Sequence, residues 1–143
     1  MSTLAAMTIV LFFILYLLLA HWVGDFLFQS TWMATNKYNS WEALLLHTAT
    51  YTVIMTTFIA PIFFVWDLVT FLSNVAIFAW SCFFFHTLQD YFTSKMTHKQ
   101  FERKVYNGPT GAFTIIGFDQ FLHFVQLFGT FYLLIMYNGN ATT

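Results

Sequence analysis

Apolar residues along this chain fall into four long blocks separated by short polar stretches. The first block runs from Leu4 to Phe28 and is broken only by Thr8, His21, Gly24 and Asp25. At 1.5 Å per residue it reaches about 37 Å, more than a hydrocarbon core of about 30 Å. The other blocks extend from Trp41 to Trp66, from about Val69 to Phe92, and from about Gly111 to Tyr137. In lipid every backbone amide needs an internal partner, so runs of this length predict α-helices. The ten-residue alternating segments of a transmembrane barrel are not seen. The predicted fold is all-α: an integral-membrane four-helix bundle forming one domain over residues 1–143, with helices at about 4–29, 41–66, 69–94 and 111–137.

The connections are short. Ser30 to Ser40 (STWMATNKYNS) is polar and carries Trp32 and Trp41 as an interfacial belt. The tight turn around Pro61 to Asp67 makes a hairpin of the second and third helices. The longest connection, Lys95 to Thr110, contains the helix-stopping pair Gly108-Pro109. Lys37 lies in the first connection and Lys95, Lys99, Arg103 and Lys104 in the third; the other polar segments hold no Lys or Arg. By the positive-inside rule the first and third connections are cytoplasmic, and both termini lie on the non-cytoplasmic side. The N-terminal block has no basic n-region and exceeds a signal-peptide h-region, so it reads as a retained helix.

Composition narrows the function classes. Hydrophobic residues make up 59% of the chain and charged residues only 8%, against about 25% charged in a soluble domain. A soluble domain, a disordered tail and a coiled coil are excluded. The net charge of −1 gives no general attraction to nucleic acid. The single Cys82 sits in an apolar run, so neither a disulfide framework nor a Cys-rich zinc site is expected. The 20 Phe read as lipid-facing bulk.

With so few charges, those inside the apolar blocks stand out, because an ionisable group in a spanning helix costs several kcal/mol. The first helix carries His21 and Asp25, followed by Gln29; the third carries His86 and Asp90; the fourth carries Asp119 and His123, beside Gln120. The second contributes His47 alone. Residues four apart share a helix face, so each pair can aim at one point. Asp25, His47, Asp90 and Asp119 lie about 8–12 Å inside the expected cytoplasmic ends of their helices, at 1.5 Å per residue. His21, His86 and His123 are one turn deeper. The order is His then Asp on helices running toward the cytoplasm, and Asp then His on the one returning. That alternation points all three pairs to one layer.

Four His and three Asp suit one or two divalent ions, Zn²⁺ first, with Mn²⁺ or Fe²⁺ as alternatives. Asp25, Asp90 and Asp119 are the candidate catalytic carboxylates. His21, Asp25, His47, His86, Asp90, Asp119 and His123 are the candidate ligands, with Gln29 and Gln120 behind them. Two readings compete with a metal: a polar cluster that fastens helices, and a proton or cation relay. The basic connection from Lys95 to Lys104 reads as topogenic charge near anionic lipid heads, and His98 within it as a solvent-facing residue.

At these residues the chain resembles a family of small integral-membrane proteins of bacteria and their phages, of unassigned function. The matching pieces are AHWVGDFLFQSTWMATNK (residues 20–37), His47 in LLLHTATYT, His86-x-x-x-Asp90 with Lys95 following, and FDQFLHF (residues 118–124). More loosely, the chain is similar to membrane-bound metal-dependent hydrolases, which carry His and HxxxD motifs on membrane helices. The resemblance implies a multi-pass protein of the bacterial inner membrane. Together these readings give a metal-dependent hydrolase acting on a lipid or lipid-linked phosphate at the cytoplasmic leaflet. Membrane lipids are the expected partners and a homo-oligomer is left open. The alternatives are a non-enzymatic membrane protein, phage-encoded or not, and an ion-translocating protein.

Overall fold

The computed structural model describes residues 2–141, and among them every regular element is helical. Helix α1 (Thr3–Trp22) runs into a π turn (Val23–Leu27); α2 (Thr31–Asn36), α3 (Trp41–Phe63), α4 (Leu68–Glu102) and α5 (Ala112–Ala141) follow. Four helices are long and apolar enough to cross a membrane: Thr3–Leu27, Trp41–Phe63, Leu68–Glu102 and Ala112–Asn138.

The boundaries depart from the sequence pattern where polar chemistry sustains or breaks a helix. Ser30 caps the amide of Met33, and Thr35 and Asn36 donate to carbonyls one turn back, so the polar first connection contains α2. Helix α3 ends at Phe63 rather than 66, with Pro61 in its last turn. Helix α4 passes the expected end at 94 and continues to Glu102. Its extra turns contain neither Gly nor Pro and are supported by Lys95 over the Tyr91 ring (3.5 Å) and a His98–Glu102 pair (3.3 Å). It stops in a Schellman arrangement: Lys104 takes φ 58°, its amide donates to Phe101, and that of Val105 donates to Gln100.

Helix α3 is the hub, packed on α4, α2, the π turn and α1, while α5 packs on α4. Its buried stripe is His47, Tyr51, Met55, Ile59 and Phe63, four residues apart along one face. The apolar core lies toward the α3–α4 hairpin and joins Met55, Ile59 and Phe63 to Leu17, Phe78, Cys82, Leu127 and Leu134. Along each of these helices the same buried face turns from apolar to His, reaching His21, His47, His86 and His123. Polar rungs also link α4 to α5: Asn138 to Asn74 (3.0 Å), Ser81 to Thr130 (2.7 Å), and Gln89 to the Leu122 carbonyl (3.2 Å).

The π turn adds a wide loop of backbone at the end of α1, where the amide of Phe28 reaches back to the Val23 carbonyl at 3.1 Å. Such turns are rare and frequent at functional sites. Gly24 permits it to seat on α3, because a Cβ there would lie 3.0 Å from Tyr51 Cδ2 and 3.6 Å from Ile54 Cγ2. Replacing Gly24 with Ala must push the Tyr51 ring aside, and overpacking of this kind costs about 1–3 kcal/mol. Gly24→Ala is therefore expected to lower the midpoint of chemical unfolding in detergent, and Gly24→Val to lower it further.

Candidate metal centre

All seven sequence-derived candidates come together, and none is more than 8% exposed. His21 ends α1 and Asp25 sits in the π turn, where the wider winding still leaves them 3.6 Å apart (Nε2 to Oδ2). His47 enters from the second turn of α3, His86 and Asp90 from mid-α4, and Asp119 and His123 from α5. Among the described residues, three overlapping groups have one donor atom per residue within 4.8 Å of the others: Asp25, His47, His86 and Asp90; His21, Asp25 and His123; and Asp90, Asp119 and His123.

The first group has the geometry of a coordination shell. His47 Nε2 lies 3.1 Å from Asp25 Oδ1, 3.1 Å from Asp90 Oδ2 and 3.1 Å from His86 Nε2. His86 Nε2 lies 3.5 Å from each of the same two oxygens. A tetrahedron of donors at about 2.0–2.1 Å from Zn²⁺ has edges of about 3.3–3.4 Å. The five edges bracket that length. Each imidazole presents the same ring nitrogen inward, and His86 is held by stacking on Tyr51 (centroids 3.9 Å) and on His123 (4.1 Å).

Around this group, hydrogen bonds fix orientation. Gln120 Oε1 can only accept, so the 2.8 Å contact requires His21 Nε2 to donate; His21 Nδ1 then accepts from the Tyr51 hydroxyl at 2.9 Å. The Gln120 amide nitrogen donates to Asp25 Oδ2 (3.0 Å) and Asp119 Oδ2 (3.3 Å). Both nitrogens of His21 are thus engaged, and it holds Gln120 against two carboxylates. Gln29 instead donates to the Asp25 backbone carbonyl (2.5 Å), satisfying an oxygen that the π turn would leave free.

Three residues of the site escaped the sequence reading. Lys37, assigned only a topogenic charge, donates to Asp90 Oδ2 at 2.8 Å. Burial would lower the Lys37 ammonium, but Asp90 and Asp25 outweigh it and leave it above its ordinary value. Tyr51 lies one turn from His47, and Thr93, which donates to Asp119 Oδ1 at 2.6 Å, lies one turn from Asp90. Helical spacing from a known candidate was the available signal for both. Lys37 offered none, since it sits outside every apolar block.

Three carboxylates and one ammonium leave a formal charge of −2 when ionised, in a setting where unpaired charge is costly. One divalent cation balances it. The group is also reachable: Asp25, Asp90, Asp119 and Gln120 line a cavity of about 530 Å³ together with Lys37 and His98. His98, expected simply to face solvent, stacks on Tyr38 (3.5 Å) beside this cavity. Asp67 caps α4 at the far end of the bundle and takes no part.

No curated protein and no solved structure matches the chain. A family model described as protein of unknown function (DUF3307) matches residues 12–143, a range that includes every residue of the site. The chain belongs to that family.

Proposed function

We propose that this protein is a multi-pass membrane protein of a bacterial inner membrane, both termini non-cytoplasmic, and a metal-dependent hydrolase of amphiphilic phosphate-bearing substrates. The observation that carries the reading is the set of 3.1–3.5 Å edges among Asp25, His47, His86 and Asp90, beside an open cavity. The membrane setting is supported by four helices of spanning length and by the exposed apolar side chains along them. The orientation rests on Lys37, Lys95, Lys99, Arg103 and Lys104, all at the site end of the bundle.

A bound divalent ion supplies a water of lowered pKa and a Lewis-acidic centre. The chain does the rest. Asp25, His47, His86 and Asp90 hold the ion, and Gln120 and Tyr51 orient that set. Lys37 lines the cavity beside Asp90 and faces an anionic head group. Asp119, with Thr93 on one oxygen, accepts the proton of the attacking water. The water oxygen bonds to phosphorus as the ester P–O bond breaks, and the proton passes to the departing oxygen. The cavity runs from the buried carboxylates to Tyr38, His98 and Phe101 near the helix ends, which suits a substrate whose chain stays in the inner leaflet.

A second reading keeps the cluster as a fastening between helices. It is favoured by the His21–Tyr51 and Gln120–Asp25 bonds, which need no ion.

Metal analysis separates the two. Protein purified with added Zn²⁺ or Mn²⁺ is expected to retain transition metal near or above one equivalent, and Asp25→Ala and Asp90→Ala to lose it. Wild-type protein that stays metal-free after repletion would defeat the hydrolase reading. Removing an outer partner typically weakens a metal site about 10–100-fold, so Gln120→Ala is expected to raise the metal dissociation constant by that factor. In liposomes, release of phosphate or head group is expected to need metal and to fall about 10²–10⁴-fold in Asp119→Asn; metal without turnover on a broad lipid panel would leave a binding protein.

A further inference from the structure

The four-donor group explains Asp25, His47, His86 and Asp90 but leaves His123 unexplained. His123 is fully buried, and neither of its ring nitrogens has a hydrogen-bond partner among the described residues. An imidazole hidden from water without a partner is costly. His21 shows the contrast: equally buried, with both nitrogens engaged.

His123 stacks on the His86 ring (centroids 4.1 Å) and has two carboxylates near its ring nitrogens. Its Nε2 lies 3.9 Å from Asp90 Oδ1 and its other nitrogen, Nδ1, 3.7 Å from Asp119 Oδ2, so an ion held by His123 takes one of these two nitrogens. These distances are too long for hydrogen bonds and leave room between donors. One donor atom from each of His123, Asp90 and Asp119 falls within 4.8 Å of the others.

Asp90 joins the two groups through different oxygens. Its Oδ2 faces His47 (3.1 Å) and His86 (3.5 Å), and its Oδ1 faces His123. A carboxylate divided in this way bridges two ions about 3.5–4 Å apart in dinuclear hydrolytic sites.

We propose that the centre is dinuclear, with a second divalent transition ion held by His123, Asp119 and Asp90 and bridged by Asp90 to the ion of the four-donor group. This rests on the metal reading above and assigns the two positions different work. The first has four protein donors, so water or substrate oxygen joins it only as a fifth ligand; the second has three, which leaves a position open. Asp90 and Asp119 both line the cavity, which puts this position within reach of a substrate there. Asp119 would hold that ion through Oδ2, which leaves Oδ1, the acceptor of the Thr93 hydroxyl, as the oxygen able to take a proton. A second divalent ion takes the site from neutral to +2, a charge that an anionic phosphate in the cavity would offset.

The test is metal stoichiometry with Mn²⁺ as probe, using the full chain in detergent. Wild-type protein is expected to bind two equivalents and give an exchange-coupled electron paramagnetic resonance spectrum. His123→Ala should bind one equivalent with an uncoupled six-line spectrum, and His123→Gln, which keeps the volume, should do the same. One equivalent in wild type, unchanged in both variants, would overturn the second position and leave the hydrolase reading standing. Two uncoupled ions would overturn the bridge, and loss of both ions in a folded His123 variant would overturn separate positions. No bound metal in wild type would overturn both proposals together.

Discussion

Carboxylates shielded from water set the terms for the whole arrangement. Asp25, Asp90 and Asp119 are buried at one level of the bundle, and each ionised group there must meet a cation, a hydrogen-bond donor or a metal. Helices α3, α4 and α5 answer that demand: α3 supplies His47, α4 supplies His86 and Thr93, α5 supplies Gln120, and the connection after α2 sends in Lys37. The apolar half of the core needs only matching shapes, whereas this half needs matching charges and specific atoms. Helix packing, the π turn and the position of Lys37 are all consistent with that requirement.

The fold was legible because its signal is coarse: four apolar blocks, each long enough to span about 30 Å of hydrocarbon, appear as four long helices. Local boundaries were less so, since Lys95 to Glu102 reads as a polar loop by composition yet continues α4 through side-chain contacts on its own surface. The candidate site was legible to an unusual degree, because a His and an Asp four residues apart inside an apolar block have few uses. The alternation of their order along successive helices fixed a common layer. Lys37 could not be found this way. Its role depends on how the chain folds back after α2, which no periodicity encodes. Nor could the π turn, whose wide winding leaves the sequence VGDFL looking like any other helix end.

Tyr51 ties together the two halves of the core. Its ring belongs to the apolar cluster, stacks on His86 and meets Gly24 of the π turn, while its hydroxyl reaches His21. Steric fit on one face and hydrogen bonding at one atom thus converge on a single side chain. The His86 ring takes its orientation from that stack, where metal-site imidazoles more often take theirs from a hydrogen bond to the outer nitrogen. The centre is positioned by packing as much as by polarity.

The partners of Asp25 also bear on how such a chain can be assembled. They come from α3, α4 and α5, all made after it. While α1 is the only helix in place, Asp25 has His21 beside it and none of those later groups. The four-donor group needs only the π turn, α3 and α4, whereas Gln120, Asp119 and His123 arrive with α5, so the site is complete only when the last helix docks. A bundle missing α5 would leave Asp25 without Gln120, Asp119 unmade and His86 with Tyr51 as its one remaining stacking partner of the two described. The same atoms that could hold an ion thus register whether the bundle is complete.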